Sequence, residues 1–366
     1  MENKNKLKGS LSRRKFLGST ATIAAFSMVP LNFYNKITPV TGVAAGTASD
    51  SNFGGVQIGT ITYSWRSMPG GVENIIKYCT ETGISSIELM SNDVEEFLGA
   101  PKNPMMAMFA PPPPPPKPSA EAPPAAAPQA PSAPAGGMPR RPELTQEQKD
   151  TIAKYSKDMK EWRLTLPVSK FEGVKKMFDD AGIKIHIVKF SPARWSDEEI
   201  DYAFKAAKTL GAKGVTEEIG EEAVKKLAPF AEKHGIYAIF HNHMQFATPG
   251  FSYDPFLAVS PAVMLNFDSG HFFGSTGIHP NTIIEKYHDR IISIHMKDKT
   301  GPKTDPANTN QVWGQGEAPI ADILQLIKKQ GWPIICDIEL EYDVKPWSNA
   351  VKEVKTCVQY VRQILM

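Results

Sequence analysis

Along this chain, short apolar runs stop abruptly at ionisable residues. Tyr237-Ala-Ile-Phe240 runs into His241-Asn242-His243, Val263-Met-Leu-Asn-Phe267 into Asp268-Ser269-Gly270-His271, and Ile291-Ile-Ser-Ile294 into His295-Met296-Lys297-Asp298. Runs this short suit strands covered on both faces better than helices. Polar groups gathered where such strands end mark the ligand-binding edge of a parallel α/β protein. His241, His243, His271 and His295, half of the chain's eight histidines, lie at these ends.

The same rhythm runs through the rest of the chain. Val56 to Tyr63 reads as a strand, Val72, Ile75, Ile76 and Cys79 share a helical spacing closed by Gly83, and Ile84 to Met90 is the next strand. Helical pattern covers Thr145 to Trp162 and Val168 to Gly182, followed by a strand from Ile183 to Val188. Ser196, with Glu199 three residues on, opens a helix that reaches Gly211. A short strand then ends at Glu217-Glu218, a helix covers Glu221 to His234, and a strand reaches His243. Further helices are expected over His279 to Asp289, Pro319 to Gln330 and Pro346 to Leu365, with the last strand at Pro333 to Glu341. Eight strand-helix units with crossovers of adequate length predict an α/β fold, a (β/α)₈ barrel. An open doubly wound sheet is the competing architecture, but no Gly-rich phosphate loop opens the first helix.

Two stretches break the rhythm. Residues 100–142 hold six consecutive prolines, Pro111 to Pro116, within Ala/Pro-rich sequence that cannot bury a core; they read as a surface insertion in extended or disordered chain. At the start, Ser12-Arg13-Arg14-Lys15-Phe16-Leu17 is a twin-arginine pattern. It precedes an apolar stretch too short to span a membrane and the small residues Val43-Ala44-Ala45. Residues 1–45 are therefore expected to be an export signal, with 46–366 a single periplasmic domain. No Cys lies near the cleavage region, so a stable membrane anchor is not expected.

Composition adds exclusions. A net charge of +2 gives no reason to expect nucleic acid as a partner. Cys79, Cys336 and Cys357 are three, far apart, and suggest neither disulfides nor a zinc site; Cys336 and Cys357 read as core packing. The barrel reading places Glu88, Glu217/Glu218, His241/His243, Asp268/His271, His295/Lys297 and Glu339/Glu341 around one rim. Such a mixed oxygen and nitrogen set suits one divalent ion: Mn, Co, Mg or Zn. Period-two alternation puts Asp337, Glu339 and Glu341 on one strand face, and His241 and His243 on another. His186, His234, His279 and His288 read as structural. Glu88 reads either as a substrate hydrogen-bonder or as a plain surface carboxylate. Trp65, Trp195 and Trp313 follow strands and are placed to wall a sugar ring.

The segments Phe240 to His243, Asn266 to His271, Ile294 to Asp298 and Ile338 to Glu341 stand in the order of the ENH/HNH, D-x-G-H, H-x-K-D and IE-x-E strand ends. On these the sequence resembles the sugar phosphate isomerase/epimerase superfamily, the xylose-isomerase-like barrels, from about Val56 to Leu365 apart from the insertion. The resemblance implies metal ligation by Asp268, His295 and Glu339. His241 stands where many members have Glu, and Glu218 is the alternative source of the missing carboxylate. It also implies substrate contact by His271, with Lys297 at the polar rim. Glu218 or Glu339 is the expected base, with His271 and Lys297 as further catalytic residues and Glu88, His243 and Trp65 against the substrate.

The implied activity is metal-assisted proton abstraction beside a carbonyl, giving isomerisation or epimerisation, or elimination where a β-substituent leaves. Export favours an unphosphorylated sugar, keto-sugar or keto-glycoside, and self-association into a homo-oligomer is compatible with the sequence. A carbohydrate-binding barrel without catalysis is the alternative from another class. DNA repair in the manner of endonuclease IV is opposed by export and by the near-zero charge.

Overall fold

The computed structural model describes residues 50–104 and 144–366. The export signal and nearly all of the proline-rich stretch lie outside the described residues. Eight parallel strands form the barrel: β1 (Val56–Ile61), β2 (Ser86–Met90), β3 (Lys184–Lys189), β4 (Gly214–Glu218), β5 (Tyr237–His241), β6 (Val263–Asp268), β7 (Ile291–Met296) and β8 (Ile335–Ile338). Each pairs with the next, and β1 pairs with both β2 and β8, so the sheet closes on itself.

Local chemistry sets the helix ends around it. The Val72–Thr82 helix buries Val72, Ile75, Ile76 and Cys79 and stops at Gly83, whose φ of 76° is the left-handed conformation that glycine adopts without strain. The Gln146–Thr165 helix opens on a reciprocal capping box between Thr145 and Gln148. The Asp197–Thr209 helix opens at Ser196, whose backbone N–H and hydroxyl both donate to Glu199 Oε2.

Apolar packing divides into two layers. Strand residues Val188, Phe240, Phe267 and Ile294 pack outward with helix residues such as Phe204, Leu227, Ile323 and Val354. A separate small cluster of Ile187, Ile239, Met264 and Ile292 fills the barrel interior. Alternation then places His241, two residues after Ile239, and Asn266 and Asp268, two and four after Met264, on the interior face. On β7, both Ile292 and His295 reach the interior because the register against β6 slips between Leu265 and Asn266. His186 lies inside the barrel, its Nε2 2.9 Å from Asp337 Oδ2 and its Nδ1 2.9 Å from Ser86 Oγ. Gly59 makes room for that carboxylate: a β-carbon there would lie 2.1 Å from Asp337 Oδ1.

Several boundaries differ from those the pattern predicts. The first strand ends at Ile61 because Thr62–Trp65 coils into a 3₁₀ turn. The fifth ends at His241, leaving His243 in the following loop, and the last is regular only from Ile335 to Ile338. A helix at Ser269–Thr276, too short and Gly-rich to show periodicity, starts directly after β6, with Asp268 as its cap. All three cysteines are free and buried, as expected of core packing for Cys336 and Cys357. Among the described residues no helix is long and apolar enough to cross a membrane.

Candidate active site

Register brings the predicted residues together. Glu218 on β4 lies beside His241 on β5, and Asp268 on β6 beside His295 on β7. The strand ends therefore deliver a histidine next to a carboxylate twice over, at the same barrel mouth.

His295 sits at the centre, clasped by two carboxylates. Its Nε2 is 2.6 Å from Glu88 Oε2 and its Nδ1 is 2.8 Å from Glu339 Oε2. Burial alone would favour the neutral ring, but Glu339 and Glu88 outweigh it and hold the pKa well above the ordinary histidine range. Glu88 is itself fixed, accepting from Thr216 Oγ1 at 2.9 Å and from Asn266 Nδ2 at 2.7 Å.

Lys297 brings a second positive charge into the buried layer. Its Nζ lies 2.7 Å from Asp268 Oδ2, 2.6 Å from Glu339 Oε2 and 2.8 Å from Glu341 Oε2. Burial opposes the ammonium, yet these carboxylates raise its pKa above the ordinary lysine value. Among the described residues, only the contact to Glu341 has hydrogen-bond geometry, and the buried Asp268 Oδ2 accepts no hydrogen bond. Asp268 Oδ1 caps the Ser269–Thr276 helix by accepting from the His271 backbone N–H at 2.7 Å.

Three more histidines close the mouth. His241 is buried, with its ring centroid 4.7 Å from that of His295 and 4.9 Å from that of His243. Burial, with His295 and Lys189 nearby, pushes its pKa well down, and its Nδ1 has no hydrogen-bond partner among the described residues. His243 Nδ1 is 2.9 Å from Glu218 Oε2, and this contact raises the His243 pKa. Glu218 also accepts from Lys189 Nζ at 2.8 Å; burial works against the carboxylate, but His243 and Lys189 hold its pKa down at about 2. His271 faces His243 with ring centroids 5.0 Å apart, and among the described residues neither of its ring nitrogens has a hydrogen-bond partner. Burial holds its pKa below the ordinary value, against the pull of Asp268.

The donor set fits a divalent ion once His295 gives up the proton that Glu339 and Glu88 hold on it, since an imidazole protonated on both nitrogens has no lone pair to donate. His241, Asp268 and His295 offer ligand atoms within 4.8 Å of one another, all on buried residues, and Asp268 Oδ2 is a buried acceptor lacking a hydrogen bond. Glu339 shares His295 and Lys297 with that group. Glu218 belongs to a neighbouring grouping with His241 and His243, so His241 is common to both.

Some residues take positions other than those expected. Glu88, expected against the substrate, has no exposed surface and reaches His295 from within the barrel. Trp65 is buried in the outer apolar layer against Tyr78, centroids 5.5 Å apart, which removes it as a wall at the mouth. Trp195 is stacked beneath the Arg163 guanidinium. Both carboxylate oxygens of Glu218 are engaged by Lys189 and His243, an arrangement suited to orienting His243. Lys189 escaped the sequence reading; its only signal is a lysine at the carboxyl end of the Lys184–Lys189 strand. The motif residues Asn242 and Asp298 build the scaffold. Asn242 Oδ1 accepts from the Asp268 N–H at 2.9 Å, while Asp298 accepts from the N–H groups of Gly314, Gly316 and Ala318 at 2.8, 2.9 and 3.2 Å.

Comparison with known proteins agrees with this geometry. The sequence profile of the xylose isomerase-like TIM barrel matches residues 155–362, more than half of the chain. The chain belongs to that family. No functionally curated protein matches it in sequence. Among solved structures it is similar to the probable 3-DHS dehydratase AsbF involved in petrobactin synthesis from Bacillus anthracis (14% identity, TM-score 0.52, covering 84% of this chain and 98% of that one). A sugar phosphate isomerase/epimerase from Parabacteroides distasonis is similar at 17% identity and a TM-score of 0.50, covering 90% and 100%. A xylose isomerase domain protein from Alicyclobacillus acidocaldarius is similar at 12% identity and a TM-score of 0.52, covering 85% and 98%. At such identities these likenesses establish the shared barrel and nothing finer.

Proposed function

We propose that this family member is a metal-dependent sugar isomerase- or epimerase-type enzyme that moves a proton beside the carbonyl of an unphosphorylated sugar or keto-sugar. The observation that carries the reading is the convergence of His241, Asp268 and His295, ligand atoms within 4.8 Å, beneath the facing imidazoles of His243 and His271. A divalent ion held by these three residues and Glu339 would supply Lewis-acid stabilisation of the enediolate.

The chain's own side chains account for the proton movements. The surroundings of the two mouth histidines drive their pKa values apart, the pattern that separates a base from an acid. His271, whose pKa burial lowers, is the residue suited to receive the carbon-bound proton. His243, whose pKa the contact with Glu218 raises, is suited to donate from the nitrogen that does not face that carboxylate. Proton return to the neighbouring carbon gives isomerisation, and return to the opposite face gives epimerisation. Glu218 and Glu339, the bases expected from the motifs, are each bound by a lysine and a histidine, which favours the imidazoles in that role.

A second reading, elimination from a keto-glycoside, is favoured by the same protonated His243, which is suited to give its proton to a departing oxygen. We further propose that the twin-arginine pattern directs the protein to the periplasm, where unphosphorylated sugars and keto-sugars are the fitting substrates.

The test is incubation of mature protein with Mn²⁺ or Co²⁺ and a panel of keto-sugars in D₂O. Deuterium incorporation at the carbon beside the carbonyl, or conversion of at least one keto-sugar, is expected. Neither event, together with sugar binding indifferent to chelator, would instead support a binding barrel.

A further inference from the structure

We infer that the Lys297 ammonium is an internal cation that shares Asp268 and Glu339 with the divalent ion, and that ion binding displaces it toward Glu341 at the mouth. The inference rests on the metal-dependent reading above. Two of the residues proposed to hold the ion, Asp268 and Glu339, already contact Nζ at 2.7 and 2.6 Å. Positive charges in one buried carboxylate cluster oppose each other strongly, because little water is present to screen them.

The way out is visible in the third contact. Glu341, at 2.8 Å, is the partner whose contact has hydrogen-bond geometry. Its side chain keeps 20% of its surface exposed, against 0% for Asp268 and 7% for Glu339. Glu341 Oε2 also lies 3.6 Å from His271 Nε2, so an ammonium that moves outward arrives beside the mouth histidines.

The path of the lysine stem is built into the fold. A β-carbon at Gly270 would lie 2.2 Å from Lys297 Cγ and 2.9 Å from the Lys297 carbonyl oxygen. Gly270 thus leaves the gap through which the stem reaches its carboxylates, which is what the glycine of the Asp268-Ser-Gly-His271 segment does here.

Calorimetric titration of metal-free protein with Mn²⁺ tests the inference. Lys297→Met, which keeps the stem and removes the charge, is expected to bind Mn²⁺ roughly ten-fold or more tighter than wild type. Equal or weaker binding by the variant, with wild type binding stoichiometrically, overturns it. No binding by either protein overturns the metal reading and this inference with it. Should the variant fail to fold, labelling of wild type with a small amine reagent, read by mass spectrometry, decides the matter. Labelling of Lys297 is expected to rise when Mn²⁺ is added, and unchanged labelling at full Mn²⁺ occupancy overturns the displacement.

Discussion

His243 Nδ1 stands 2.9 Å from one oxygen of Glu218, while Lys189 Nζ stands 2.8 Å from the other. Lys189 fixes one oxygen of the carboxylate, and the other faces the imidazole in an ion-pair contact that favours its charged form. In the proposed mechanism His271 must be neutral and His243 protonated, so kcat/KM rises with pH as His271 loses its proton and falls as His243 loses its own. Glu218→Gln removes the charge that raises the His243 pKa. The falling limb is then expected to move to lower pH while the rising limb stays in place. A pH profile of kcat/KM measures both, and an unmoved falling limb would sink this role for His243.

His186 is expected to serve stability alone. It is buried, with both ring nitrogens engaged by Asp337 and Ser86. His186→Ala leaves the Asp337 carboxylate buried without its partner, at a cost on the order of 3 kcal/mol. Denaturant titration should register that loss, while metal content per folded molecule should equal wild type. A fall in metal content of the folded variant would show that the pair shapes the ion site.

Asp298 ties down the chain that follows β7. It accepts from three backbone N–H groups, and a β-carbon at Gly316 would lie 2.2 Å from its Oδ1. Asp298→Ala should release the Gly314–Ala318 segment and cost roughly 1–3 kcal/mol, since buried donors lose their acceptor. Faster amide exchange confined to this segment is the expected signature; unchanged exchange would refute the anchoring role.

The proposed export signal lies outside the described residues and has its own test. Replacing Arg13 and Arg14 with Lys should leave the protein in the cytoplasm with its amino-terminal segment uncleaved. Undiminished recovery from the periplasm would remove the twin-arginine assignment.

The fold was legible because most barrel strands are buried, largely apolar runs and helix boundaries carry Ser, Thr or Gly signals, as at Ser196, Thr145 and Gly83. The histidine and carboxylate ends of β5 to β8 were legible for the same reason, since closure brings all strand ends to one mouth. Depth was not. Alternation cannot say that Glu88 lies beneath His295 or that Trp65 faces outward, because both outcomes share one sequence pattern. Pairing was equally hidden: nothing local connects Lys189 with Glu218, 29 residues on, or Gly270 with the stem of Lys297. The Ser269–Thr276 helix is eight residues long and holds two glycines, too few positions for a period to appear.

The central claim is that the barrel mouth holds one divalent ion through His241, Asp268, His295 and Glu339. Metal analysis of purified mature protein, wild type beside Asp268→Ala, tests it most directly. About one equivalent of ion in wild type and a loss of it in the folded variant is the predicted result. Absence of metal from both, even after reconstitution with Mn²⁺, Co²⁺, Mg²⁺ and Zn²⁺, would contradict the site and the chemistry built on it.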